Sequence, residues 1–234
     1  MFKEAFLILT IFFLFSCTQQ EVSPEAKVSP DSSIISKSLD AESSIAIVAD
    51  TIEPETAHRS FKKAVANLPL SLARFVPDGY EVLDTASGNL NLDKYPDVIL
   101  VLKKKTEETT SSYGKGKPKK RPLLLLTGQP NNKYQPATQN KNAVYCIDCG
   151  GAMGDPFIGI VIKSGFFSIE HYGGSAWRWW HTATFKYSPV LKTWLLHKDV
   201  TGSFHAPEGE EKTTIKTNKD FGKVPFDKFD IYKE

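Results

Sequence analysis

Asp155, Glu170 and His171 are the residues whose types suit acid–base work, each beside a turn rich in glycine or proline. An imidazole can take a proton near neutral pH, and a carboxylate on its other nitrogen would hold the ring in one tautomer. His171 as base with Asp155 as orienter, together with Glu170, therefore defines a hydrolase reading with envelope glycans or peptides as substrates. No Gly-x-Ser-x-Gly elbow, His-Glu-x-x-His pair or phosphate-binding loop accompanies them. An isolated histidine among strands is more often a hydrogen-bonded structural group, so no catalytic residue is assigned.

Cys146 and Cys149 lie in Cys146-Ile147-Asp148-Cys149-Gly150-Gly151. In an oxidising compartment this spacing is expected to close as a local disulfide. Zinc would need a second Cys or His pair at metal spacing, which the sequence lacks. Redox catalysis would need the pair at the start of a helix, and Gly150, Gly151, Gly154 and Pro156 oppose one.

Gly173-Gly174-Ser175-Ala176 leads into Trp177-Arg178-Trp179-Trp180-His181. On a strand, Trp177, Trp179 and His181 share one face, and Arg178 and Trp180 the other. Ala183, Phe185 and Tyr187 continue the first parity, which predicts Trp177 and Trp179 as the core face. Arg178 and Trp180 then form a candidate platform for sugars or peptides. The alternative is a strand buried on both sides, with Arg178 stacked on Trp180.

These residues need strands to position them. Short β-prone runs at 98–101, 123–127, 143–147, 158–162 and 166–171 are separated by Gly, Pro or Asn. Residues 177–187 and 193–197 read as a hairpin joined through Ser188-Pro189. Nine to eleven strands with no long helix predict one all-β, mainly antiparallel domain over 61–234, as a sandwich, open barrel or partial propeller. Phe61, Val65 and Leu68 recur at helical spacing, with Ser60 as cap and Pro69 as stop. Lys103 to Arg121 carries eight Lys or Arg against Glu107 and Glu108, and is expected to be an exposed loop open to anionic headgroups or acidic glycans.

Ser87-Gly88-Asn89-Leu90-Asn91-Leu92-Asp93-Lys94-Tyr95-Pro96-Asp97 precedes one of the strands. It resembles the calcium loop of FG-GAP and VCBS-type secreted repeats, which implies ligands at Asn89, Asn91, Asp93 and Asp97. Two of these are neutral amides and Lys94 brings a positive charge, so weak calcium binding at best is expected. The alternative is an Asn/Asp turn held by its own hydrogen bonds. No other cofactor is expected. Arg121-Pro122-Leu123-Leu124-Leu125, the Cys146 loop, Gly154-Asp155-Pro156-Phe157 and His171 to Arg178 resemble landmarks of uncharacterised exported bacterial lipoproteins. That resemblance spans about 76–200 and implies a shared fold and an envelope location, without an activity.

The location is read from the start of the chain. Lys3 precedes an apolar stretch from Ala5 to Phe15 broken only by Thr10, too short for the roughly 20 residues of a spanning helix. Leu14-Phe15-Ser16-Cys17 resembles a lipobox, which implies removal of 1–16 and lipid on Cys17. Residues 17–60 are rich in Ser, Pro, Glu and Asp, and from 18 onward eight acids face Lys27, Lys37 and Arg59. Such a segment buries too little apolar surface to offset its ordering entropy and is expected to be a flexible stalk. The chain is thus expected to sit on the exported side of a bacterial envelope membrane, the outer ahead of the inner. Its expected partners are that membrane, through Cys17, and an envelope glycan or protein. A formal net charge of +2 gives no signature of nucleic-acid binding.

Overall fold

Asp97–Lys104 carries apolar side chains on both parities, and such a strand is stable only between two layers. It is β2 of nine strands found among the described residues, 68–207 and 209–233, of a computed structural model. One antiparallel sheet runs β1 (Tyr80–Gly88), β2, β3 (Leu123–Gln129), β4 (Lys133–Asn140). The other runs β5 (Phe157–Lys163), β6 (Phe166–Gly174), β7 (Trp177–Ser188), β8 (Thr193–His205), β9 (Glu211–Thr217). Both are meanders in chain order, and together they form a β-sandwich with no closed barrel.

The main core takes Ile99 and Val101 from β2, Leu123 and Leu125 from β3, and Phe167, Ile169, Ala183 and Phe185 from the second sheet. Period-2 alternation explains the second sheet, because β6 buries Phe167, Ile169 and His171 while its other parity stays half-buried. Phe226 closes the core edge-on, 5.4 Å from the Phe167 ring and 5.2 Å from Phe185. Truncating Phe185 would leave a void costing about 3–5 kcal/mol. The other face of β2, with Val98, Leu100 and Leu102, packs under Leu72, Phe75 and Val76.

Leu72 belongs to a short helix, α1 (Leu70–Ala73), which starts at Pro69 instead of ending there. A proline has no N–H to lose at a helix start, and Pro69 O accepts from Leu72 N at 2.8 Å. Residues 60–67 of the expected earlier helix lie outside the described residues, as do the leader, Cys17 and the expected stalk.

The run 143–147 is not a strand. Ala143, Val144 and Cys146 are fully buried in an irregular segment whose backbone is satisfied by the C-terminal residues. Ile231 N donates to Asn142 O at 2.9 Å, and Tyr232 Oη donates to Val144 O at 3.2 Å. Apolar periodicity cannot separate a buried strand from a buried coil with partners this distant in sequence.

The basic loop is exposed or half-buried over most of its length, as expected, with two exceptions. Glu107, at the start of a helical turn α2 (Glu107–Thr110), and Arg121 are both buried.

Candidate binding groove

The parity that buries Ala183 and Phe185 on β7 continues to His181 and Trp179, where loops replace the first sheet as cover. Register carries this face onward. His181 lies opposite Thr201, Trp179 opposite Ser203, Thr201 opposite Thr214 and Ser203 opposite Lys212. The outcome is a groove of about 650 Å³ with a sheet floor and with Tyr113, Tyr145 and Lys233 among its walls.

Arg121 builds one wall. Its guanidinium donates to both carboxylate oxygens of Glu107 at 3.1 and 2.7 Å, to both of Asp155 at 2.7 Å, and to Tyr145 O at 3.2 Å. Burial alone would depress the guanidinium pKa. The bonds to Asp155 and Glu107 overcome this and hold it above its ordinary value. Three segments far apart in sequence are thereby tied to one planar fork.

The disulfide builds the other. Cys146 and Cys149 are bonded, and Cys149 lines the groove. The turn they close presents Asp148, which accepts from Ser111 Oγ and from Tyr113 N, each at 2.6 Å. Partial burial opposes ionisation, yet these two donors keep the Asp148 carboxyl below its ordinary value. The loop bearing Tyr113 is thus pinned to the disulfide turn.

His171 lies beneath. Its Nε2 accepts Tyr145 N–H at 3.2 Å, so the neutral ring carries its proton on Nδ1, which is buried with no hydrogen-bond partner among the described residues. Burial first, then the charges of His181 and Arg121, push its pKa down to about 3. His181 Nε2 pairs with Asp199, and its Nδ1 is likewise buried and unpartnered.

The three residues of the hydrolase reading are not brought together. Asp155 is clamped by Arg121, His171 bonds the backbone of Tyr145, and Glu170 has the opposite strand parity, half-buried. Burial raises the Glu170 pKa.

In the Asn/Asp loop the oxygens are turned inward. Asp97, fully buried, accepts from Leu90 N at 2.7 Å, Asn91 N at 3.2 Å and Gly128 N at 2.8 Å. Burial outweighs these donors and raises its pKa. Asn89 Oδ1 accepts from Leu92 N, Asn91 Oδ1 from Asp93 N, and Asp93 Oδ1 from Tyr95 N. Asp93 Oδ2 accepts from Asn91 Nδ2 at 2.7 Å, so each side-chain oxygen that would face an ion is engaged by an amide of the loop or, at Asp97 Oδ1, by Gly128 of β3. Among the described residues no group of three His, Cys, Asp or Glu is placed to hold a metal.

The parity assigned to β7 is correct from His181 onward, but Trp177 is not core: it is 59% exposed, at the strand end, against the His205 ring. Trp179 is half-buried, edge-on to Tyr145 at 5.5 Å between centroids. It lies so close over Gly173 that a Cβ there would stand 2.6 Å from the indole. The expected platform is divided. Trp180, which has the opposite parity but borders the groove, covers Gly202 and donates Nε1–H to Glu211 at 3.1 Å, whereas Arg178 Nη1 lies against Met153 Sδ.

Sequence reasoning missed Tyr145, Asp199, Lys212, Lys216 and Lys233. The alternation Lys212-Thr213-Thr214-Ile215-Lys216 carries the signal for one basic, hydroxyl-bearing strand face, but β9 holds too little apolar residue to be recognised as a strand. The chain matches none of the protein-family models, curated proteins or solved structures with which it was compared.

Proposed function

We propose that the chain is a lipid-anchored binding protein of the bacterial cell envelope whose β-sandwich takes a polar ligand in the groove above Trp179 and His181. The observation that carries the binding half is the groove itself. Its floor offers the hydroxyls of Thr201, Ser203 and Thr214, and its walls offer Tyr113 and Tyr145, held by the Asp148 and Arg121 networks. Aromatic side chains beside aligned polar groups suit a sugar or another hydroxylated ligand. Leu14-Phe15-Ser16-Cys17 carries the anchoring half.

Hydrolysis of the same ligand has less support. His181 and Asp199 form a pair in the groove, but one ring nitrogen is taken by Asp199 and the other is buried. Neither is open to a substrate proton.

A photo-crosslinking amino acid placed at Thr201 in intact cells tests the groove, with Thr182, on the other parity of β7, as control. A defined saccharide adduct at Thr201 and none at Thr182 supports the reading, whereas equal labelling or no labelling opposes it. Fatty-acid labelling tests the anchor: Cys17→Ser should take up none, and labelling equal to the unaltered chain would end that half.

A further inference from the structure

Resting on the groove as the ligand site, we propose that the ligand is an acidic oligosaccharide, held through its anionic groups by Lys212, Lys216 and Lys233. Lys212, Thr214 and Lys216 alternate along β9 and all line the groove, so both ammonium groups rise from the same sheet face. Four residues at about 3.3 Å each set their backbone positions about 13 Å apart along the groove. Lys233 faces the same space from the C-terminal segment, with Asp230 3.6 Å from its ammonium. Asp199 is the one acid among the described lining residues, and it is bonded to His181. Even with Asp230 counted beside Lys233, the described groove residues carry more positive than negative charge over an extended path, which attracts a ligand with repeated negative charge.

Saccharide chemistry is favoured over peptide chemistry by the floor. Residues 198–204 of β8 are paired to β9, and β7 is paired to β8 along its whole length, so the backbone donors and acceptors of β7 and β8 are already used and only the outer edge of β9 has no neighbouring strand among the described residues. A peptide laid across β7 and β8 would find no ladder to join, and recognition there must run through side chains. Hydroxyls at Thr201, Ser203 and Thr214 and the rings of Trp179 and Tyr113 are the groups that pair with sugar hydroxyls and cover sugar faces.

Calorimetry on the full chain in detergent micelles at low ionic strength tests this, with trigalacturonate, a heparin tetrasaccharide, maltotriose and hexaglutamate as probes. At least one acidic saccharide should bind, and the Lys212→Ala/Lys216→Ala double variant should weaken it by about tenfold. Both lysines are exposed, so the double variant should fold normally. Added salt should weaken binding to the unaltered chain and have less effect on the variant. If maltotriose binds as tightly as either acidic saccharide and Trp179→Ala weakens both, the groove reading stands and the acidic ligand is overturned. Hexaglutamate binding as tightly as the acidic saccharides would overturn the saccharide and favour an acidic peptide. Binding by none of the four would overturn both readings.

Discussion

Arg121 and Asp155 form a two-bond clamp, Nη1 to Oδ1 and Nη2 to Oδ2, both at 2.7 Å, around a guanidinium that is fully buried. The same guanidinium satisfies Glu107, itself 1% exposed. Arg121→Met would leave two carboxylates facing a site with no cation. Urea unfolding should show a loss of about 3–5 kcal/mol. A loss within the range of an ordinary surface substitution would show that the clamp is dispensable.

Asp97 organises the Asn/Asp loop as an acceptor for three backbone N–H groups. Asp97→Ala strands those donors, and each buried unmade bond costs about 1–3 kcal/mol, so a loss of several kcal/mol is expected. Millimolar calcium should leave the melting temperature of the unaltered chain unchanged, because the loop oxygens are engaged by its own amides. A calcium-dependent rise would contradict this account of the loop.

The tryptophans of β7 should separate by depth. Trp177→Ala, at an exposed strand end, should change stability by no more than about 0.5 kcal/mol. Trp179→Ala removes a ring packed on Tyr145 and Gly173, and about 2 kcal/mol is expected for a half-buried indole. Gly202→Ala should also destabilise the fold, since its Cβ would stand 2.3 Å from the Trp180 indole. Three melting curves decide the order, and a Trp177 variant less stable than the Trp179 variant would reverse it.

Stability should fall as the solution is acidified, through His171. Its pKa is 6.5 in an ordinary setting and about 3 in the fold, where burial and nearby positive charge keep it neutral. Below pH 6.5 the unfolded chain binds a proton that the folded chain refuses, so stability present above 6.5 is lost progressively toward pH 3, by up to about 4–5 kcal/mol. Asp84, Asp97 and Glu170, whose pKa values burial raises, act in the opposite direction and offset part of the loss. His171→Gln should therefore unfold with a flatter pH dependence between pH 6.5 and 4. Parallel curves for the two proteins would show that His171 is not the titrating group.

The strands that fill the core were legible in the sequence as short apolar runs, continuous in β2, where both faces are buried, and alternating in β6, where one is. Residues 98–101, 123–127, 158–162 and 166–171 all lie in strands, and β7 turns into β8 through Ser188-Pro189. The polar edge strands β4 and β9 were not, since an outermost strand is held by backbone pairing on one side and needs no apolar face. The groove inherits that difficulty. Trp179 was visible as an aromatic on the core parity, but its cover comes from Tyr145, whose carbonyl reaches Arg121, and from Tyr113, whose N–H reaches Asp148. Nothing in local spacing announces that Arg121, Asp155 and Tyr145 meet, because the β3–β4 hairpin lies between Arg121 and the other two.

Ligand entering the groove would pass over Trp179, and the four indole N–H groups of the chain report on it. Trp194 is buried and donates to Leu90 O at 2.9 Å, Trp180 borders the groove and donates to Glu211, and of the two indoles on the floor parity Trp177 lies exposed at the strand end while Trp179 lines the groove beside His181. In a nitrogen–proton correlation spectrum of the full chain, trigalacturonate should move the Trp179 indole resonance saturably, while those of Trp194 and Trp177 hold still. Movement at Trp177 with Trp179 unmoved, or no movement with either trigalacturonate or maltotriose, would contradict the account.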